Sequence, residues 1–173
     1  MKKYIVLLRG INVSGKNKLP MADLRSLLND LGFQNVQTYI QSGNIILDAD
    51  KSKSVICKKI SQEILNRFGY TVPVIAKTIP EWKKAIENYP FSIENEKIVA
   101  FTFLDNIPTN TKIAIKNVGD DAYKIVDDLV YLYCPSTFAK TKLSNNLFEK
   151  KLKVTATTRN LRTTLKLLEL AKT

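Results

Sequence analysis

The chain has 173 residues, 45% of them hydrophobic and 25% charged, and a formal net charge of +11 at pH 7. A chain of this length and composition can bury a core as one domain or as two small subdomains, and no apolar run approaches the length of a membrane span. Because the sequence contains no histidine, Ser–His and Cys–His catalysis and histidine metal sites are excluded.

The first half of the chain predicts the element order β-α-β-β-α-β, which is the split β-α-β or ferredoxin-like order. Strands are indicated by β-prone runs, the first of them typical of a strand buried on both faces. Helices are indicated by apolar residues at helical spacing, with Pro20 in the first turn of one and glycine caps at Gly32 and Gly69. The predicted strands cover residues 3–9, 36–40, 44–47 and 72–77, and a short helix runs from Pro80 towards Pro90.

The second half of the chain predicts the same order of elements, but less clearly. Strands are expected over 98–104, 121–126, 129–134 and 153–157, and helices over 109–117 and 142–152. A terminal helix carries Leu161, Leu165 and Leu168 at the i, i+4, i+7 spacing. The sequence therefore predicts an α+β protein with two ferredoxin-like subdomains in tandem, residues 1–90 and 91–173, plus a C-terminal helix.

The run from Arg9 to Lys18 is the sharpest local feature of the sequence. Two glycines, two asparagines and three cations lie between the first predicted strand and the first predicted helix. Gly10 to Lys16 matches most of the phosphate-binding P-loop pattern. However, Asn17 occupies the position where a P-loop has Ser or Thr to hold Mg²⁺, the helix begins too late, and a hairpin follows. A nucleotide-hydrolysing P-loop is therefore not predicted.

Two interpretations of this run remain open. Glycine-rich backbone with Arg9, Lys16 and Lys18 can hold a phosphate or a nucleic-acid backbone. Alternatively, the run is a structural turn, in which the glycines adopt positive φ and the asparagines bond their own loop.

Two further polar strings carry candidate residues. The first is the predicted hairpin turn from Tyr39 to Asn44. The second is the segment from Thr157 to Asn160, where Thr158 is the expected N-cap of the terminal helix. Residues 139–173 also contain nine cationic and two acidic side chains, and a basic field of this kind favours phosphate-bearing partners or serves solubility alone.

The three strings together resemble the domain of unknown function 1697 family. The matching segments are Leu8–Val13 with Gly15–Asn17, then Thr38–Asn44, then Thr157–Asn160 with Thr163. The chain departs from the family at Ser14, where glycine is common, and at Leu161, where tryptophan is common. The resemblance implies a bacterial cytoplasmic protein of ferredoxin-like α+β build, and it implies no established reaction.

From the residues we predict a binding protein with a cationic polar cleft for a phosphorylated ligand or nucleic acid. The cleft is expected to contain Arg9, Asn12, Lys16, Lys18, Gln41, Asn44, Arg159 and Asn160. Two alternatives stay open: an enzyme acting on a phosphorylated small molecule, and a structural protein whose motifs are turns and helix caps. No cofactor, metal or membrane partner is predicted, and the two cysteines, which lack metal-ligand spacing, are expected to be buried thiols.

Overall fold

A computed structural model describes all residues from Met1 to Thr173. It contains eight strands, five α-helices and one short 3₁₀ helix, Glu96–Ile98. Their bounds are β1 Lys2–Leu8, α1 Met21–Asp30, β2 Gln34–Tyr39, β3 Asn44–Ala49, α2 Lys53–Phe68, β4 Val74–Thr78, α3 Ile79–Glu87, β5 Val99–Leu104, β6 Ala122–Val126, β7 Leu129–Tyr133, α4 Asn145–Leu152, β8 Ala156–Asn160 and α5 Leu161–Ala171.

The strands form two four-stranded antiparallel sheets with the same strand order. The first sheet has the order β2-β3-β1-β4 and the second β6-β7-β5-β8, and every strand pair is antiparallel. The predicted α+β class, with two sheets and a C-terminal helix, is therefore confirmed. The ferredoxin-like assignment within that class stays a prediction.

The chain divides into two compact units. Unit 1 comprises Met1–Lys83 with Leu167–Thr173, and unit 2 comprises Lys84–Lys166. The domain bounds expected from the sequence, 1–90 and 91–173, stay a prediction.

The core of unit 1 lies between the first sheet and the helices α1 and α2. Strand β1 is buried from Tyr4 to Leu8, as expected for its continuous apolar run. Helix α2 contributes Ile56, Ile60 and Ile64 at four-residue spacing, so that one stripe of the helix is buried. Gly69 ends α2 with φ of +74°, the left-handed cap that the sequence predicted.

Unit 2 has its own core, in which Phe148 and Leu152 of α4 pack against the second sheet. The ring of Phe148 meets that of Tyr123 edge-on, with centroids 5.8 Å apart. The opposite face of this sheet carries a cluster of aromatic rings, where Tyr89 contacts both Phe101 and Tyr131 at centroid distances of 5.5 and 5.7 Å.

The predicted helix over 109–117 is wrong. The segment has no regular secondary structure, and Ile113, Ile115 and Val118 pack partly buried against the core of unit 2. Apolar residues at alternate positions, such as Ile113 and Ile115, are typical of an extended chain rather than a helix. The β-branched residues Ile and Thr, and also Asn, disfavour a helix. A segment without regular secondary structure therefore covers apolar surface where the sequence predicted a helix.

The terminal region differs from its prediction in two further respects. The strand expected over 153–157 lies instead at Ala156–Asn160. The buried face of α5 contains Leu161, Thr164 and Leu167, whereas Leu165 is exposed. A hydroxyl that bonds the preceding turn can occupy a buried helix position, and Thr164 Oγ1 does so by donating to the carbonyl of Asn160 at 2.9 Å.

Candidate functional site

Asn12 is the central structural residue of the loop between β1 and α1. Its side-chain nitrogen donates to the carbonyls of Leu19 at 2.9 Å and Gln41 at 2.8 Å. Its side-chain oxygen accepts from the backbone N–H of Leu19 at 2.8 Å. The backbone of Asn12 is left-handed, with φ of +53°, a conformation that asparagine tolerates better than most residues. Asn12 therefore closes its own loop and ties it to the hairpin turn between β2 and β3.

The rest of the loop is also internally bonded. Asn17 donates through its side chain to the carbonyl of Gly10 at 3.0 Å, and its own carbonyl accepts from the N–H of Asn12 at 3.1 Å. The N–H of Lys16 donates to the carbonyl of Val13 at 2.9 Å. These bonds make the segment a compact turn, which is the behaviour that the structural interpretation of the sequence expected.

The cations of the loop lie in different environments. Lys16 and Lys18 are exposed, whereas Arg9 is half-buried. We name the segment Arg9–Lys18 the cationic loop. It presents two lysine ammonium groups to solvent on a backbone that its asparagines hold in place.

The hairpin turn between β2 and β3 packs directly against the end of β1. The carbonyl of Gly43 accepts from the N–H of Leu8 at 2.8 Å. Asn44 is fully buried, and its side-chain nitrogen donates to the Tyr39 carbonyl at 3.1 Å and to Ser42 Oγ at 2.8 Å. Gln41 is exposed and contributes its backbone carbonyl to Asn12. The structure thus brings the cationic loop and this turn together within unit 1.

The third polar string lies in unit 2, and its local structure differs from the prediction. Thr158 is not the N-cap of the terminal helix, because it belongs to β8. Asn160 caps α5 instead, since its side-chain oxygen accepts from the N–H of Thr163 at 2.9 Å. Thr158 and Asn160 lie on one face of β8 and Arg159 on the other, as strand alternation requires.

Arg159 is a buried cation. Its guanidinium donates to Thr157 Oγ1 at 2.7 Å and to the carbonyl of Thr158 at 2.9 Å. Only 8% of the residue is exposed. Arg159 and Asn160 belong to unit 2, and the other six candidate residues belong to unit 1. The expectation that all eight converge on one cleft stays a prediction.

Unit 2 contains a cleft that sequence reasoning did not identify. Its volume is about 390 Å³. Ala100, Leu132 and Leu143 contribute apolar surface, and Ser144, Asn145 and Asn160 are among its polar residues; Phe138 also lines it. The one feature of the sequence that could have indicated this cleft is Thr102, a single hydroxyl residue within an otherwise apolar strand. Thr102 is fully buried, and its Oγ1 lies 2.7 Å from Thr158 Oγ1.

Next to this cleft, a buried carboxylate organises the chain after β7. Asp121 accepts from the backbone N–H of Ser136 at 3.0 Å and from Ser136 Oγ at 2.5 Å. Burial pushes the pKa of the Asp121 carboxyl upward, but hydrogen bonds from Ser136 and Thr141 outweigh it, so that the pKa lies below its ordinary value. The carboxylate form is the one that this part of the fold requires.

Asp121→Asn is expected to lower the free energy of unfolding by about 2 kcal/mol at pH 7, because hydrogen bonds to a charged acceptor are lost or weakened. A lowered folded-state pKa stabilises the protein fully above the unfolded pKa of about 3.9, and that stabilisation is lost as pH falls through the folded pKa. Urea unfolding between pH 7 and pH 2.5 should therefore show the difference from the unsubstituted protein shrinking in acid. The exposed neighbour substitution Asp120→Asn is the control and should change stability little at either pH.

The cysteines and the acidic side chains form no metal centre. No group of three or more Cys, Asp and Glu side chains is placed to hold a metal ion. Cys134 is buried as expected, and burial raises the pKa of its thiol to about 11. Cys57 is only half-buried, which corrects the expectation for that residue.

No helix of the structure combines the length and the apolar character needed to cross a membrane.

Comparison with known proteins identifies a matching family model and a similar solved structure. A family model described as "Protein of unknown function (DUF1697)" matches residues 1–131. No curated protein matches the sequence. Among solved structures, the chain is similar to the conserved bacterial protein SP0830 from Streptococcus pneumoniae, with a TM-score of 0.72, 23% identity and 98% of each chain covered. At this identity the likeness concerns the fold alone.

Proposed function

The chain belongs to the DUF1697 family of proteins of unknown function, and we propose that it is a binding protein whose cationic loop holds a phosphate-bearing partner. The proposal rests on one observation: the asparagines and the lysines of the loop have different roles. Asn12 and Asn17 are occupied by bonds inside the protein, whereas Lys16 and Lys18 are exposed. The asparagines thus act as the framework, and the lysines are the groups available to a partner.

A preorganised loop favours binding for an entropic reason. Ordering a flexible loop on association costs free energy that the contacts must offset. The hydrogen bonds from Asn12 to Leu19 and Gln41 exist in the free protein, so that part of this cost is already met during folding. Lysine is a common phosphate binder that acts as a point charge, and the net charge of +11 increases the rate of encounter with polyanions.

Nucleic acid is the partner we propose first, and a phosphorylated small molecule is the alternative. Two lysines on an exposed loop can each neutralise one phosphate along an extended backbone. In this proposal Arg9 and Gln41 border the contact surface, because the backbone of Gln41 is tied to the loop through Asn12. Asn44 holds the hairpin turn from inside.

The double substitution Lys16→Ala with Lys18→Ala is expected to weaken binding of a fluorescein-labelled single-stranded oligonucleotide about tenfold or more, because two charge-assisted contacts are lost. Fluorescence anisotropy of the full chain measures the dissociation constants. The matched control is Lys58→Ala with Lys59→Ala, which removes the same charge from exposed positions on α2. The control should change affinity much less than the loop variant. Equal losses in the two variants would show that only net charge matters and would refute a role for the loop.

A further inference from the structure

The cleft in unit 2 has properties that the cationic loop does not explain. It has a volume of about 390 Å³, and no acidic side chain is among the residues that line it. Part of its wall is apolar, from Ala100, Leu132 and Leu143, and Phe138, which is 37% exposed, adds an aromatic ring. A cavity that combines an apolar wall with a few polar groups is typical of a small-molecule site.

The polar groups of this cleft have their oxygens engaged within the protein. Asn160 Oδ1 accepts from the N–H of Thr163 at 2.9 Å. Ser144 Oγ accepts from the N–H of Leu147 at 3.2 Å. Asn145 Oδ1 accepts from Thr158 Oγ1 at 2.6 Å. The hydrogen-bonding capacity that remains is therefore dominated by donors, namely the two amide NH₂ groups and the serine hydroxyl.

The Asn145 amide lies at the end of a chain of hydroxyls. Thr102 is fully buried, and its Oγ1 lies 2.7 Å from Thr158 Oγ1. Because the Thr158 proton is donated to Asn145 Oδ1, the Thr102 hydroxyl supplies the other proton of the chain. The amide oxygen of Asn145 faces Thr158, and its nitrogen has donors for another acceptor.

The charged side chains near the cleft favour a ligand that is rich in hydrogen-bond acceptors. Lys140 and Lys142 are exposed and flank Thr141, which lines the cleft. The carboxylate of Asp121 is already bonded by Ser136 and Thr141.

We propose that this cleft binds a small phosphorylated molecule, whose phosphate oxygens accept from Asn145, Asn160 and Ser144 and whose apolar body covers Leu132 and Leu143. The site lies wholly in unit 2 and does not depend on the cationic loop of unit 1.

The test is titration of the full chain with phenyl phosphate, followed through the side-chain amide resonances in ¹H–¹⁵N NMR spectra. We expect saturable shifts of the NH₂ groups of Asn145 and Asn160. Asn145→Asp should weaken binding about tenfold or more, because it replaces donors by a repelling carboxylate. This variant keeps an oxygen for Thr158. The matched control is Asn110→Asp, in an exposed turn where the side-chain oxygen accepts from the N–H of Lys112; it should change affinity less than twofold.

Three results would overturn the proposal. They are unmoved amide resonances at Asn145 and Asn160, full affinity in Asn145→Asp, and equal binding of phenol, which lacks the phosphate. The amide shifts are measured on the unsubstituted protein, so that a poorly folded variant does not remove the test. Asn145 and Asn160 lie in unit 2 and the cationic loop lies in unit 1, so their amide resonances report on this cleft and separate this proposal from the one for the cationic loop.

Discussion

Gly43→Ala is expected to destabilise the protein by about 3 kcal/mol or more, as measured by urea unfolding. Gly43 has φ of +79°, and a Cβ at this position would lie 2.6 Å from the Cβ of Leu8. Leu8 cannot easily move, because it is buried in the core of unit 1 and donates to the Gly43 carbonyl at 2.8 Å. The new methyl group must therefore separate the hairpin turn from the end of β1.

The controls for this prediction are Gly10→Ala and Gly15→Ala in the cationic loop. Both glycines have similar positive φ, +77° and +74°, but a Cβ at either position meets no atom within 4 Å. Each should cost only the backbone penalty of about 1 kcal/mol. If all three variants lost the same stability, the close approach of Gly43 to Leu8 would not be the reason for glycine at this position.

Asn12→Ala is expected to lower the free energy of unfolding by about 3 kcal/mol, because two donated bonds and one accepted bond are lost together. The N–H of Leu19, two residues before α1, loses its side-chain acceptor, and the left-handed backbone at φ of +53° suits alanine poorly. Chemical unfolding of the full chain measures the effect, and hydrogen exchange at Leu19 should accelerate.

Asn12→Gly separates the two causes of that loss. Glycine accepts the positive φ without strain, so the loss should be about 2 kcal/mol and arise from the hydrogen bonds. Ser14→Ala, at an exposed position with φ of +50°, is the control for a polar residue changed to alanine on left-handed backbone without the hydrogen bonds of Asn12. A stability loss in Asn12→Ala no greater than that in Ser14→Ala would contradict the role of Asn12 as the tie between loop and turn.

Much of the fold could be predicted, because the local sequence pattern of many segments matches the way those segments pack in the structure. The isoleucines of α2 recur at helical spacing, and Gly69 ends the helix. One segment of sequence therefore predicts both the buried face of the helix and its C-terminal end. The segment 109–117 could not be predicted in the same way. The conformation around Ile113 and Ile115 depends on the core that they cover. That core is formed by residues distant in the sequence, so the local pattern alone does not predict it.

The local structure of the candidate residues could be predicted as loops and turns, but the different roles of their side chains could not. Asn12 and Lys16 both look polar and available in the sequence, and only the tertiary bonds to Leu19 and Gln41 show that Asn12 is occupied. Thr158 and Asn160 are both reasonable caps by residue type, and the end of β8 decides between them. The cleft in unit 2 was missed because the bond between Thr158 and Asn145 joins separate elements.

The salt dependence of oligonucleotide binding tests the central claim most directly. The logarithm of the association constant should fall linearly with the logarithm of salt concentration, by about 0.7 per phosphate contact for a single strand. The slope for the Lys16→Ala, Lys18→Ala double variant should be shallower than that of the unsubstituted protein by about 1.4, while Lys58→Ala with Lys59→Ala should keep the original slope. Identical slopes for the loop variant and the unsubstituted protein would contradict the claim that the cationic loop contacts phosphates.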